Sequence, residues 1–400
     1  GEKSATLMVY DLKKKEEKKV LSDVESIIPT GNGRQLLVKR KGKFGIIKPM
    51  ANQKLDKPVQ LDGLVMDLIP KQEWRQIVLD TWRRHRDFFY DPNMHGVDWE
   101  ALKTRYFALV DDARTRWDVT NIQSNLVAEL SAGHTYSGDG DVERLEPVEN
   151  GYLGIDWTQD DGGYRVDRII KPAVWDTEVR SPFDRTGVQV KEGDYILSVN
   201  GMNLDPSKDP YAAFEGLAGK VVSLRVKTPG VDERPHEVIV KTLNQREEQK
   251  LRHLAWIDHN RLMVEELSDG KLGYVYMSNT GGQGQLELVQ MYYGQLAKEG
   301  FIIDERFNSG GQLADRFLEM LQRPVIYNHF WRHGRNHTWP IKANPGPKGM
   351  LINGWSVSGG DALPWGFQEL KVGPIVGERT LGILVGPATR HKLIDGGSIT

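Results

Sequence analysis

The sequence predicts a multidomain α+β protein: a β-rich N-terminal segment, a helical segment, a compact β unit and an α/β layered domain. Three observations carry this. The 400 residues exceed one ordinary core and, at about 150 residues per domain, call for two to three. The texture changes along the chain, from short strands with charged turns, to an aromatic helical stripe after Pro70, to glycine-punctuated strands. Finally, strand and helix patterns alternate over 246–400, which places a partly parallel sheet there.

Composition narrows the functional classes. Lys+Arg 53 against Asp+Glu 55 gives a net charge of −2, so no broad electrostatic case exists for nucleic acid or anionic membrane. With 39% hydrophobic and 27% charged residues the chain reads as soluble and folded. No run approaches the ~18 apolar residues of a membrane span. Zero cysteines exclude disulfides, thiolate zinc sites and cysteine nucleophiles. The chain opens on Gly1 without a signal-peptide pattern and so reads as a processed or cloned fragment. Its compartment stays open between periplasm and cytoplasm, with a lean to the periplasm.

Taken in order, residues 1–69 read as short strands. Ala5–Leu12 is apolar, Lys13–Lys19 is a mixed-sign charged turn, and Leu36–Lys39 with Phe44–Ile47 forms a hairpin. The pattern resembles one blade of a β-propeller. Residues 70–150 are helical. Glu73–Tyr90 carries Trp74, Ile77, Val78, Trp82, Phe88 and Phe89 as core. Asp98 caps a helix over Trp99–Val110, and Asp118 or Thr120 caps a third helix through Leu130. The small residues that follow leave His134 on a loop, while His85 and His95 read as surface or capping residues.

Residues 151–245 alternate glycine turns and strands. Gly187–Gly201 runs from a Glu-Gly-Asp turn through a strand into Asn200-Gly201. This resembles a PDZ domain, and Tyr152, Leu153, Gly154 and Ile155 then resemble the loop whose amides hold a peptide carboxylate. A PDZ-shaped spacer without ligand is the plain alternative.

Residues 246–400 alternate strands at Leu272–Met277, Phe301–Ile303, Met350–Ile352 and Pro374–Val376 with helices at Gln285–Ala297, Leu313–Leu321 and Ala362–Leu370. Two glycine-rich turns join strand to helix. Asp304–Gln312 contains Gly310 and Gly311 and would expose backbone N–H groups to an oxyanion. It lacks the Lys-Ser/Thr ending of a phosphate-binding P-loop. Asn353–Asp361 holds Ser356 and Ser358, the latter followed by Gly359. Ser358 is a candidate nucleophile or a plain helix cap, and Ser356 and Ser309 are its rivals.

A loop histidine, a PDZ unit, Asp-x-Arg-x-Asn-x-Gly-Gly and Asn-Gly-x-Ser-x-Ser-Gly-Gly-Asp-Ala follow one another in this order over about 70–400. In this the chain resembles the core of tricorn protease and its homologues among the C-terminal-processing (tail-specific) serine peptidases. The resemblance implies a ClpP/crotonase-like catalytic domain over 246–400. It also implies Ser358 as nucleophile, His134 as general base, and Gly359 with Gly310 or Gly311 as oxyanion-hole amides. A lysine base used by one branch would fall at Ile383, so a Ser–Lys dyad is not available from that motif. Peptides or unfolded protein C-termini are the implied substrates, without metal or organic cofactor, and homo-oligomers are known among such relatives. Two departures stand out: Gly133 replaces the serine that precedes the histidine in tricorn, and the orienting glutamate would fall after Thr400.

His329, His333 and His337 would share a helix face as metal ligands, but Gly334 and Pro340 break that helix and favour a polar loop. Trp331 and Trp339 suit either a specificity pocket or core packing. Two other classes remain: a catalytically weakened peptide- or ligand-binding protein on the same scaffold, and an acyl-CoA enzyme of the crotonase kind. The PDZ unit and the serine turn argue against the second.

Overall fold

The computed structural model describes residues 5–160, 163–230, 232–387 and 389–400, and the chain divides into two compact units at Pro70. In the first unit β1 (Ala5–Asp11), β2 (Glu16–Pro29), β3 (Leu36–Arg40) and β4 (Lys43–Ile47) form an antiparallel sheet in chain order. Val20, Leu21, Val24, Leu36, Val38 and Ile47 are its core. The charged run Lys13–Lys19 is a turn only at its start. From Glu16 it is strand, with Lys18 opposite Val9 and Glu17 opposite Tyr10, because a solvated strand face takes charged side chains readily.

The second unit starts with three helices: α1 (Pro70–Phe88), α2 (Trp99–Asp112) and α3 (Arg116–Ala128). Trp82 and Trp99 each donate an indole N–H to the other's backbone carbonyl, at 2.8 and 3.0 Å, deep among Ile77, Val78, Leu102, Val110, Val119 and Leu126. Asp98 caps α2 through the Ala101 N–H. The cap of α3 is Thr115, with Asp118 closing the capping box from the third helical position, so the expected cap at Asp118 or Thr120 sits one turn too late. His85 is a buried residue, its Nδ1 against the Thr81 carbonyl at 2.9 Å, and burial holds its imidazole below the usual range. Phe88 is exposed, not core, and stacks on His391.

After α3, β5 (Ser137–Gly138) pairs with the last strand of the chain. The PDZ-like unit follows: β6 (Ile155–Asp160), β7 (Gly163–Ile169), β8 (Tyr195–Val199), β9 (Met202–Asn203), β10 (Val221–Thr228) and β11 (Asp232–Lys241). Its main sheet runs β11-β10-β8-β7-β6, so β6 lies at an edge. Asn200 and Gly201 both adopt positive φ, the geometry a tight Asn-Gly hairpin turn needs. A long helix, α4 (Gln245–Leu267), enters through an Asn244/Glu247 capping box. Its apolar face is narrow and its sequence highly charged, which hides it from a reading of periodicity.

The last layer is a parallel sheet in the order β12 (Leu272–Tyr276), β13 (Gly300–Asp304), β16 (Lys348–Ile352) and β17 (Ile375–Gly377). Helices α5 (Gly282–Gly294), α6 (Ala314–Leu321) and α7 (Gly359–Glu369) connect these strands and enclose Val275, Leu288, Phe301, Ile303, Phe317, Met350, Leu363 and Phe367. A hairpin of β14 (Tyr327–His329) and β15 (His337–Trp339) stands apart from it. The strand β19 (Ser398–Ile399) pairs with β5 on one side and with β18 (His391–Lys392) on the other, and Leu393 and Ile399 join the helical core. Arg116 and Asp395 fasten that junction with a buried ion pair at 2.7 Å. The chain end thereby reaches the His134 loop.

Candidate active site

The strand β16 turns sharply into α7, and Ser358 occupies the turn with φ 58° and ψ −113°. A non-glycine residue there is strained by about 1–3 kcal/mol and persists only where its surroundings enforce it. Asp361, one turn into α7, supplies the restraint: its Oδ2 accepts the Ser358 N–H at 2.6 Å. The same carboxylate accepts the Gly382 N–H at 2.7 Å and the Ile383 N–H at 3.0 Å. Ser358 is half-buried. Ser356 is wholly buried and donates its hydroxyl to the Glu305 carbonyl at 2.8 Å, which removes it as a rival nucleophile. Ser309 is exposed, with its hydroxyl against the Ser278 carbonyl at 3.3 Å.

Opposite Ser358 lies the Gly310-Gly311 turn. The Asp304-x-Arg306-x-Asn308 run that precedes it is scaffolding. Arg306 grips Asp304 with two hydrogen bonds, and Tyr274 donates to the same carboxylate at 2.8 Å. Asn308 accepts the Gly310 N–H at 2.9 Å through its side chain and the Val357 N–H at 3.0 Å through its backbone. The Gly310 carbonyl accepts the Thr280 N–H at 2.8 Å. The Gly311 and Gly359 N–H groups have no acceptor among the described residues. These backbones touch. A Cβ on Gly310 would lie 2.8 Å from the Ser358 Cβ, and one on Gly359 would lie 2.0 Å from the Thr280 hydroxyl and 2.8 Å from the Gly311 nitrogen. Glycine is therefore obligatory for close approach.

His134 adopts φ 61° on the loop after α3. Thr400 holds this loop, donating its hydroxyl to the His134 carbonyl at 2.7 Å and accepting the Tyr136 N–H at 2.8 Å. The ring's Nδ1 lies 2.8 Å from the Tyr136 hydroxyl, and its Nε2 is buried without a partner among the described residues. Just before it, Gly133 abuts Ile383, where an added Cβ would stand 2.6 Å from the Ile383 Cβ. Ser358, Gly359, Gly310 and Gly311 thus form one nest, joined to the His134 loop through Asp361, Ile383 and Gly133. Sequence reasoning missed Asp361 and Tyr136, although an acid one turn after a helix-opening serine is a readable capping signal.

Comparison with known proteins matches residues 271–400 to peptidase family S41, 151–245 to the tricorn protease PDZ domain and 70–128 to the tricorn protease C1 domain. Residues 271–400 thus carry a peptidase family S41 domain, beside tricorn-type PDZ and C1 domains. The chain's tricorn-type relatives include tricorn protease homolog 1 of Streptomyces coelicolor, 31% identical over 98% of this chain and 37% of that protein. Tricorn protease of Thermoplasma volcanium is 26% identical over 96% of this chain and 37% of that protein. The chain thus spans little more than a third of these relatives. A crystal structure of tricorn protease superimposes with a TM-score of 0.87 at 23% identity, covering all of this chain and 38% of the other, and so shares its fold. The S41 match holds Ser358 and both glycine turns, whereas His134 falls between the C1 and PDZ matches.

Within this S41 domain a buried carboxyl stands behind the serine turn. Glu305 has no solvent exposure, and neither carboxyl oxygen meets a partner at hydrogen-bond geometry among the described residues. Burial pushes it up to about 9, the Ser356 hydroxyl opposing and the Asp361 and Asp304 carboxylates adding to the rise.

Of the peptide-binding positions expected in the PDZ unit, Leu153 and Ile155 are fully buried. Tyr152 exchanges both backbone hydrogen bonds with Leu243, and the Gly154 carbonyl accepts from Ile170. From α4, Arg252 donates to the Ile155 carbonyl at 2.6 Å, and Leu251 fills the space beside Gly154. Where a polar loop was expected around His329, His333 and His337, a short hairpin stands: His329 and His337 face each other across β14 and β15 with rings 4.7 Å apart. Among the described residues no group of three or more His, Cys, Asp or Glu is arranged for a metal ion. Trp331 and Trp339 are exposed on the same hairpin and are not core.

Proposed function

We propose that this chain is the catalytic core of a tricorn-type serine peptidase that hydrolyses peptides or unfolded protein C-termini through an acyl-enzyme. Ser358 Oγ attacks the scissile carbonyl carbon while its proton passes to His134 Nε2. The oxyanion that forms is received by the Gly359 and Gly311 N–H groups. Gly311 is preferred to Gly310 because the Gly310 amide is already committed to Asn308. The imidazolium returns its proton to the departing amine, and water then repeats the sequence on the acyl ester. For Nε2 to act as base, Nδ1 must carry the proton and donate it to the Tyr136 oxygen, which is placed to accept it and to orient the ring. Chemistry of this kind needs no metal or organic cofactor.

The reading rests above all on the strained Ser358 held beside two unclaimed amides. On the PDZ unit, Arg252 and Leu243 engage the loop ahead of β6, so a docking peptide would add along the β6 edge beyond Ile155. A fluorophosphonate probe tests the assignment: a phosphonyl adduct mapped to Ser358 is the expected product. A chain that stays unlabelled while folded would favour a binding protein on this scaffold. Tyr136→Phe should label about five- to tenfold more slowly, the worth of one hydrogen bond of ~1 kcal/mol, with little change in melting temperature because Tyr136 is exposed.

A further inference from the structure

Gly133 is not among the glycines with positive φ, so a left-handed backbone does not account for it. What excludes a side chain is Ile383, whose Cβ and Cγ2 would lie 2.6 and 2.7 Å from an added Cβ. Ile383 is in turn fixed from the nucleophile's side. Its N–H and that of Gly382 both end on Asp361, the residue whose other bond holds the Ser358 N–H. The Leu381 N–H, on the Ser356 carbonyl at 3.0 Å, fastens the same turn one residue earlier. One carboxylate therefore restrains both the nucleophile and the turn that presses against the residue preceding the histidine.

We propose that Asp361, Ile383 and Gly133 are the positioning device of the Ser358–His134 pair: Asp361 carries the 381–383 turn on the nucleophile's own helix, and Ile383 sets the depth of the histidine loop by contact with Gly133. The proposal rests on the peptidase reading above. The three act through Ser358 and His134, whose separation a displacement of about 1 Å would spoil at a cost approaching a hundredfold in rate.

The contact is reciprocal, so a two-residue cycle tests it. In Gly133→Ala the new methyl meets Ile383 and displaces the loop; in Ile383→Gly the brace is lost; in the double variant the methyl has the vacated space. Each single change is expected to slow fluorophosphonate labelling of Ser358 by about tenfold. The double variant should label faster than Gly133→Ala and no more slowly than Ile383→Gly. Asp361→Asn retains one acceptor oxygen for three N–H groups. It should lower kcat about tenfold or more, with KM within twofold of wild type. Hydrogen–deuterium exchange at the His134 ring C2 gives a readout independent of catalysis. The rate should change in each single variant and return towards wild type in the double one. Independent multiplication of the two labelling effects, or unchanged His134 exchange in Gly133→Ala, would overturn the proposal. An unlabelled wild type with the expected exchange pattern would instead count against the peptidase reading alone.

Discussion

Ser358→Ala is expected to abolish fluorophosphonate labelling and to lower kcat on peptides by about 10⁶-fold, while KM changes little. The size follows from the chemistry: removing the nucleophile of a serine–histidine pair removes the acyl-enzyme route, and the remaining amides stabilise only a slow attack by water. Stability should move by less. The side chain is half-buried, and the Asp361 bond that holds the turn goes to the Ser358 backbone, which alanine keeps. Ser356→Ala supplies the contrast. It deletes a buried hydroxyl bonded to the Glu305 carbonyl, so it should cost about 1 kcal/mol of stability and leave labelling at Ser358 in place. Equal loss of labelling in the two variants, at equal folded fraction, would remove Ser358 from the nucleophile position.

Much of this site was legible in the sequence because its parts are local. The serine turn, the two glycine turns and the Asn-Gly hairpin each need particular residue types at adjacent positions, and glycine is forced wherever bare backbones touch, as at Gly310 and Gly359. Contacts between distant segments leave no such trace. Nothing near His134 announces that Thr400 would bond its carbonyl, or that Ile383 would explain Gly133. That glycine read as a departure from the tricorn pattern, but the structure shows it accommodating Ile383. At the histidines 329, 333 and 337, Gly334 and Pro340 argue in the sequence against a metal-binding helix but do not reveal the hairpin that takes its place. Spacing of four suggests a helix face, but at the cross-strand register of a hairpin the first and last face each other as a stacked pair. α4 escaped notice because a helix that buries so few residues has little apolar periodicity to detect.

Glu305→Gln is expected to flatten the fall in stability of the protein between about pH 5 and pH 9. In the folded chain burial pushes the Glu305 carboxyl up to about 9 from its ordinary 4.5. Stability from the neutral acid is therefore complete below the unfolded value and is lost progressively as pH rises towards the folded one. Each unit in that window costs about 1.4 kcal/mol, so by pH 7 the native state has given up on the order of 3 kcal/mol relative to the acid limit. Glutamine keeps the shape and cannot ionise. Melting temperatures of wild type and variant should lie nearest at the acid end and diverge as pH rises, the variant becoming the more stable; parallel curves would show that Glu305 titrates normally. The placement has a chemical consequence as well. Glu305 is buried beside Ser356, with the Asp361 and Asp304 carboxylates raising it. Held neutral at physiological pH, it adds no further negative charge near a site that must accept a developing oxyanion.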